Sequence, residues 1–510
     1  RDPLGHVTRY FYNALGRLER EENALGYSTV FDYNELGKVL TETRKRKLPN
    51  GLEELLITGF EYDNAGRLIK KFDALNDDPN EPTYVTETQY EFGRPVRTIV
   101  KNGMTVNSVV QDAVTQTIYD AHGRVKKTIY PDGSYSESFY DEEGRQIRTR
   151  DRDGRQTTFD HDEEGRVTTT CIVVGGDPPA DDECRNTTYD FLGRVVTESD
   201  GRRDVAACDS LLGCITSYGY SPHQKTVTVN ELGTPPTTYS YDGNGNLSSF
   251  TDARGKTTQY KYDHVGRLVK TIHHDGLYTQ ATYDRAGRKI EERDRAGKIT
   301  KYGYDALKQL TKVTDARGGV TIYTYDEVGN RRSQKDARGN TTWMEYDRRG
   351  QLTKRILPNG VDDLPTGDFE TFSDYDGAGR LTKHTDFNGQ VTTFTYDHEG
   401  RVVLKDLPGL EPDVFYGFSS AGLRTQAGGT ALNVGGDRLT YNYRGLLERE
   451  EKEDGSKLEY LYDAAGNRKK LTVTSPADVN PQDAKVEDYK YDSVGRLWKV
   501  IEPEGETVYT

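Results

Sequence analysis

The sequence has few of the side chains that build a thick hydrophobic core. Hydrophobic residues make up 33% of its 510 positions, and it contains only 2 Trp and 2 Met. Soluble globular domains usually contain clearly more apolar residues, so this chain is not expected to fill one large core. It also has no run of about 18 apolar residues, and no membrane span is predicted.

The sequence has no large basic patch. Its net charge is −14, with acidic residues spread along the chain, which argues against binding of nucleic acid through nonspecific charge. The one basic run, from Arg44 to Lys47, is short, and it is interpreted as a solvated loop rather than a polyanion-binding site.

Cysteine is scarce and clustered. The four residues fall in the least regular part of the chain, which predicts two local disulfides, Cys171 with Cys184 and Cys208 with Cys214. Disulfides would indicate an oxidising compartment, and therefore a secreted or cell-surface protein. Free thiols and a zinc site remain open alternatives, although no Cys-x2-Cys pair supports zinc.

Tyrosine is abundant, and its spacing defines a repeat. The chain has 35 Tyr, and a run of them recurs every 21 positions, most followed directly by Asp and, four positions after Tyr, by Gly. Lys308 replaces Gly in one copy. The positions that define the unit in four copies are Tyr241, Asp242, Gly245, Tyr262, Asp263, Gly266, Arg267, Tyr283, Asp284, Gly287, Arg288, Tyr325, Asp326 and Gly329.

The unit fits a β-hairpin. Asp at the first and Gly at the fourth position favour a type I turn, closed by Gly in the left-handed conformation. The flanks alternate, so that Thr258, Tyr260 and Tyr262 share one strand face while Gln259 and Lys261 share the other. A second Asp-x-x-Gly turn lies half a repeat away, which predicts two strands of about six residues in each repeat.

Roughly twenty such repeats predict an all-β protein of about forty strands in one long antiparallel sheet strip. The array is expected to be one continuous domain over residues 1–510, with irregular insertions at about 171–218 and a less regular stretch at 410–447. Because twist accumulates along a sheet, the strip is expected to spiral into a hollow shell or barrel. A filled solenoid remains an alternative.

The Tyr-Asp-x-x-Gly-Arg-Leu units resemble the YD repeats of RHS proteins, of Tc-toxin shell components and of the teneurin β-shell, and the resemblance extends from Tyr12 to Leu497. It implies a spiral cocoon that encloses a toxic C-terminal segment or, in teneurins, an adhesive extracellular role. RHS toxins usually end the shell with an Asp-Pro-x-Gly self-cleavage motif. Here that motif occurs only at Asp2–Gly5, where a turn is predicted, so the chain is interpreted as shell wall from a longer protein.

No catalytic, cofactor or metal site is predicted, because the Asp and Arg residues recur at turn positions, where exposed Asp–Arg contacts between repeats and Arg–Tyr stacking are expected. The segment Asp242–Asn246 resembles the start of a calcium loop but lacks its later Gly and Glu. The leading hypothesis is a structural shell segment that encapsulates or presents a toxin, an effector or another polypeptide. The alternative is an extracellular adhesion module that binds carbohydrate, such as surface glycans, or protein, although only Trp343 and Trp498 are available for ligand stacking.

Overall fold

The fold is all-β. The computed structural model describes residues 1–510 except 74–83, 107–108, 174–182, 200–214, 222–225, 232–235, 360–364, 366, 410, 430–433, 443, 463–465, 478–483, 492–496 and 509–510. Those described residues contain strands and turns and no helix. Accordingly, no helix in this part of the chain is long and apolar enough to cross a membrane.

The strands are short, and most contain five to seven residues. The first fifteen are β1 (Arg9–Tyr12), β2 (Leu18–Glu22), β3 (Ser28–Tyr33), β4 (Val39–Lys47), β5 (Glu53–Tyr62), β6 (Leu68–Asp73), β7 (Tyr84–Glu91), β8 (Arg94–Val106), β9 (Val109–Tyr119), β10 (Val125–Ile129), β11 (Tyr135–Tyr140), β12 (Gln146–Arg150), β13 (Gln156–His161), β14 (Val167–Val173) and β15 (Glu183–Tyr189). The next fifteen are β16 (Val195–Ser199), β17 (Ile215–Tyr220), β18 (Thr226–Glu231), β19 (Thr237–Tyr241), β20 (Leu247–Thr251), β21 (Thr257–Tyr262), β22 (Leu268–Ile272), β23 (Tyr278–Tyr283), β24 (Lys289–Arg293), β25 (Ile299–Tyr304), β26 (Leu310–Thr314), β27 (Val320–Tyr325), β28 (Arg331–Lys335), β29 (Thr341–Tyr346) and β30 (Leu352–Ile356). The last thirteen are β31 (Phe369–Tyr375), β32 (Leu381–Thr385), β33 (Val391–Tyr396), β34 (Val402–Asp406), β35 (Val414–Phe418), β36 (Arg424–Ala427), β37 (Asp437–Tyr441), β38 (Leu447–Glu451), β39 (Lys457–Tyr462), β40 (Arg468–Thr474), β41 (Lys485–Tyr491), β42 (Leu497–Glu502) and β43 (Gly505–Val508).

Consecutive strands pair antiparallel, as the hairpin pattern predicted. In a representative repeat, β23 pairs with β24 and β24 pairs with β25. The β23–β24 register shifts between Thr282 and Tyr283, while the β24–β25 register runs without a shift. A bulge bends its strand and increases the local twist, so the bulge beside Tyr bends the sheet locally at a repeated place.

Two edges of the strip can be distinguished by their turns. The Tyr-Asp edge carries the turns that directly follow the Tyr-ending strands, such as Asp284–Gly287 after β23. The opposite edge carries the turns half a repeat away, such as Asp294–Gly297 after β24.

The core is thin. Among the described residues the buried apolar side chains are Leu56, Ile99, Met344, Ile356, Leu471 and Val500. Strand β21 shows the expected alternation, with Gln259 and Lys261 exposed and their neighbours half-buried. The low apolar content is therefore used to cover a sheet rather than to fill a thick interior.

The chain divides into two compact units by internal contacts. Unit 1 comprises Arg1–Gln116, Leu268–Thr271 and Gly276–Glu411, and unit 2 comprises Thr117–Arg267, Ile272–Asp275 and Pro412–Thr510. Each unit thus combines two long segments that are far apart in sequence. The leading segment is Arg1–Gln116 in unit 1 and Thr117–Arg267 in unit 2, and the trailing segment is Gly276–Glu411 in unit 1 and Pro412–Thr510 in unit 2. The prediction of one continuous array over residues 1–510 stays a prediction.

Candidate functional site

Each Tyr-Asp turn is held by its own aspartate. In the turn after β23, Oδ1 of Asp284 accepts hydrogen bonds from the backbone N–H groups of Ala286 and Arg288, both at 2.9 Å. The Nε of Arg288 donates to the other carboxylate oxygen, Oδ2, at 2.7 Å. Gly287 closes the turn at φ 83°, a conformation that costs glycine little. The Asp–Arg pair of this turn therefore lies within the turn. The contact expected between repeats is found on the opposite edge, where Arg152 pairs with Asp132 of the preceding repeat at 2.7 Å.

These contacts favour the ionised carboxylate. At Asp120, desolvation acts to raise the pKa, but hydrogen bonds from the backbone and guanidinium of Arg124 outweigh it and lower the pKa to about 2. At Asp63, the hydrogen bond from the Arg67 side chain is the largest cause of a lowered pKa. At these two turns the aspartate is therefore a charged structural acceptor at neutral pH.

A ladder along the same edge connects each repeat to the next. The Nη1 of Arg288 donates to the carbonyl of Asp305 at 2.9 Å, and its guanidinium carbon lies 4.9 Å from the ring centroid of Tyr304. The Tyr304 hydroxyl donates back to the carbonyl of Lys289 at 2.9 Å. The guanidinium–ring contact recurs for Arg67 with Tyr90, Arg124 with Tyr140, Arg166 with Tyr189, Arg194 with Tyr220 and Arg380 with Tyr396. The motif side chains thus stabilise the strip edge, and the expected Arg–Tyr stacking is present.

The predicted repeat residues all lie at this edge. Tyrosines end their strands, the aspartates begin the turns, and the glycines have positive φ. These positions are Tyr241, Asp242, Gly245, Tyr262, Asp263, Gly266, Arg267, Tyr283, Asp284, Gly287, Arg288, Tyr325, Asp326 and Gly329. Asp2–Gly5 also forms a turn, in which the Leu4 N–H donates to Oδ1 of Asp2 at 2.9 Å.

A charged cluster joins the two segments of unit 1. Arg46, at the end of β4, is only 4% exposed, and its guanidinium pairs with Glu54 on β5. Its Nη1 also donates to the carbonyl of Asp347 at 3.0 Å and lies 3.9 Å from the carboxylate of Asp326. Asp326 itself is 8% exposed. The opposite edge of the leading segment therefore packs on the Tyr-Asp edge of the trailing segment.

Two further contacts extend this junction. The backbone N–H of Lys47 donates to the carboxylate of Glu327 at 2.9 Å, and the Nε of Arg348 donates to Glu54 at 3.0 Å. On the neighbouring hairpin, burial is the main cause of a raised pKa at Tyr27, and the nearby charge of Glu327 adds to it. The junction thus involves more than one consecutive turn of each segment.

Unit 2 contains a contact between the same two types of edge. Asp153, in the opposite-edge turn after β12, accepts a hydrogen bond from the Ser419 hydroxyl at 2.8 Å and one from the Ala421 N–H at 2.7 Å. Ser419 and Ala421 belong to the Tyr-Asp-edge turn after β35. In each unit, an opposite edge of the leading segment thus meets a Tyr-Asp edge of the trailing segment.

The sequence analysis missed these junctions. It interpreted Arg44–Lys47 as a solvated loop, and this prediction is wrong, because the run lies in β4 and Arg46 is buried. Its carboxylate partners include one 280 residues away in sequence, so no local pattern signals the pairing. The nearest local signal is the Glu53-Glu54 pair that faces the basic run across the hairpin.

The disulfide candidates have different outcomes. Cys171 and Cys184 form a disulfide that joins directly opposed residues of β14 and β15. Cys208 and Cys214, predicted as a second pair, lie outside the described residues. Across the part of the chain that is described, no group of three or more His, Cys, Asp or Glu residues is placed to hold a metal ion. The carboxylate of Asp242 accepts turn hydrogen bonds from Asn244 and Asn246.

The fold and its repeated edge define a protein of tandem β-hairpin repeats. The RHS repeat family model matches residues 140–171, 241–279, 283–320, 304–341, 325–362 and 375–408. These segments of the chain are RHS repeats, and the resemblance found in its sequence is confirmed. Among curated proteins the chain has no match.

Solved structures with the same fold include Tc-toxin proteins. The crystal structure of TcdB2-TccC3 is 14% identical with a TM-score of 0.70, covering 98% of this chain and 35% of that one. TcdB2-TccC3 without its hypervariable C-terminal region is 13% identical with a TM-score of 0.71, covering 98% and 36%. The Photorhabdus luminescens Tc holotoxin pore is 15% identical with a TM-score of 0.59, covering 93% and 27%. The chain therefore spans about a third of the length of these structures or less, and at such identity the likeness establishes the fold.

Proposed function

We propose that this chain is a wall segment of a shell that encloses or presents another polypeptide, such as a C-terminal toxin or effector. The RHS repeats and the shared fold with TcdB2-TccC3 support this function. A wall segment is proposed rather than a whole shell, because the chain corresponds to only part of those structures.

The observation that carries the proposal is the edge-to-edge junction within each unit. Its contacts connect residues 280 to 301 positions apart in unit 1 and 266 to 268 positions apart in unit 2. A free ribbon would leave both edges in solvent. A strip that packs its opposite edge on its own Tyr-Asp edge instead makes a broader wall, which is what a container needs.

The junction chemistry suits a permanent wall. Arg46, Glu54 and Asp326 are largely removed from solvent, and separation of the edges would take Arg46 away from Asp326. Removal of one partner from a buried ion pair typically costs about 3–5 kcal/mol, so a substitution that breaks this cluster should weaken the junction. The Cys171–Cys184 disulfide supports a secreted or extracellular location, because such bonds persist in oxidising compartments.

Small-angle X-ray scattering of the purified chain at low concentration tests the proposal. We expect a pair-distance distribution with a maximum at longer distances than a filled sphere of 57.5 kDa gives, without the extended tail of a rod. In the Arg46→Glu variant, whose new charge faces Glu54 and Asp326, the distribution should broaden. The Lys45→Glu variant serves as a control, since Lys45 is exposed and its side chain pairs only with Glu53 among the contacts described.

A rod-like profile for the unmodified chain would overturn the container function. It would leave the strip as an open solenoid, the form expected of a surface adhesion module.

A further inference from the structure

The Tyr-Asp edge of unit 1 is covered in one segment and open in the other. Leu36 and Leu307 occupy the third position of equivalent turns. Leu307, in the trailing segment, is half-buried, whereas Leu36, in the leading segment, is 67% exposed. Leu15, one repeat before Leu36, is 75% exposed. The same turn position thus differs in environment according to the segment that carries it.

The open edge presents a row of apolar tips. Leu15 and Leu36 lie two strands apart, which places them roughly 10 Å from each other. Phe92, in the turn after β7 on the same edge, is fully exposed. Contiguous apolar groups on a surface mark an interaction site more often than scattered single side chains do.

The opposite edge of the trailing segment is open as well. Its turns Asp294–Gly297, Asp315–Gly318 and Asp336–Gly339 follow β24, β26 and β28. Their tips are exposed and carry Arg295, Arg317 and Arg338 beside alanines. Unit 1 therefore displays one uncovered edge of each type that it already packs together internally.

We propose that a second copy of this chain docks its trailing opposite edge onto the leading Tyr-Asp edge, repeating between molecules the junction formed by Arg46 and its partners. The charges are complementary, since the exposed tips of the receiving edge include Glu35 and Glu91 and those of the incoming edge include Arg317 and Arg338. An arginine side chain also covers apolar surface with its methylene stem while its charged head stays in water.

The contact is head-to-tail. Because the two surfaces differ, a stack of any length leaves one edge of each type open, one at each end, and the assembly grows rather than stopping at a symmetric dimer. This self-association goes beyond the proposed shell function, which concerns a single chain at low concentration.

Sedimentation velocity over a concentration series tests the inference. We expect the weight-average sedimentation coefficient of the unmodified chain to rise with concentration. In the Leu15→Lys/Leu36→Lys variant the rise should disappear, with an apparent dissociation constant at least about tenfold higher. The matched control is Leu40→Lys/Ile322→Lys, which adds the same charge at partly exposed strand positions of the same unit and should associate like the unmodified chain.

A mixing experiment tests whether the contact between copies is head-to-tail. The Ala316→Lys/Ala337→Lys variant blocks the incoming edge and should be monomeric alone, as should Leu15→Lys/Leu36→Lys. An equimolar mixture retains one intact edge of each type and should form a heterodimer and nothing larger. Circular dichroism of each variant checks that the fold is retained.

Three outcomes would overturn the inference. The unmodified chain could stay monomeric at about 100 µM, a concentration at which even weak contacts of this kind are populated. The leucine variant could associate as strongly as its control. Finally, the mixture of the two folded edge variants could fail to dimerise.

Discussion

Lys308 offers a test of how backbone conformation limits the stability of a repeat. It occupies the position that glycine takes in most turns, and it adopts φ 68°. The turn is otherwise intact, because the Lys308 N–H donates to the carbonyl of Asp305 at 3.2 Å and Oδ1 of Asp305 accepts from Leu307 at 2.8 Å. A substitution at Lys308 can therefore test the cost of its left-handed backbone conformation without altering the hydrogen bonds of the turn.

The Lys308→Gly substitution should stabilise unit 1. A non-glycine residue in the left-handed region costs roughly 1–2 kcal/mol, whereas glycine loses roughly 0.5–1 kcal/mol more entropy on folding than alanine. The difference predicts a gain of about 0.5–1 kcal/mol in the free energy of unfolding. Lys308 is exposed, so loss of its amine should contribute little.

The assay is urea unfolding followed by the fluorescence of Trp343, which belongs to the same unit, in a Trp498→Phe background. Lys308→Ala keeps the positive φ and should stay close to the parent. Gly318→Lys places a side chain at φ 85°, where nothing lies within 4 Å of the added carbon, and should lose about what Lys308→Gly gains. The reasoning fails if Lys308→Gly is destabilising, or if Lys308→Ala is equally stabilising.

Three further predictions concern charge and the disulfide. The folded pKa of about 2 at Asp120 lies below its ordinary value of 3.8, so its stabilising effect is complete above about pH 4 and lost as the pH falls toward 2. Thermal unfolding should therefore show stability that falls across this window, and unchanged melting from pH 4 to 2 would contradict the structural role of the turn carboxylates. Arg46→Ala leaves Glu54 and Asp326 without their buried cation and should lower the free energy of unfolding in urea by about 3–5 kcal/mol. The exposed control Lys45→Ala should lower it by at most about 1 kcal/mol. Equal losses for the two variants would refute the importance of burial. Replacing Cys171 and Cys184, which are 13 positions apart, with serine should lower the free energy of unfolding by about 3 kcal/mol, and an unchanged urea midpoint would refute this.

Local structure was predictable to a large extent. The 21-residue spacing, the Asp-x-x-Gly turns and the alternation around Tyr260 predicted antiparallel hairpins, and the structure has them. Such features depend on residues a few positions apart, whose turn chemistry and strand period are written directly in the sequence. The resemblance to RHS repeats followed from the same local pattern.

The details of the edge ladder were only partly accessible. Stacking of Arg on Tyr and Asp–Arg contacts between repeats, such as Arg152 with Asp132, were foreseen, but the Asp–Arg pair inside each Tyr-Asp turn was not. In the structure, Arg288 satisfies Asp284 in its own turn and still reaches the carbonyl of Asp305 in the next. Which partner an arginine selects depends on side-chain geometry after the bulge is formed, and the residue spacing alone does not determine it.

The sequence by itself determined the hairpin, its turns and its repetition, because each of these arises from interactions between near neighbours in the chain. Only the tertiary structure decided which edges meet. The pairing of Arg46 with Asp326, and of Asp153 with Ser419, joins residues more than 260 positions apart. Those positions are brought together by the twist and bulges summed over many repeats. A small change at each hairpin would shift that sum, so the pairing has no signature at either residue.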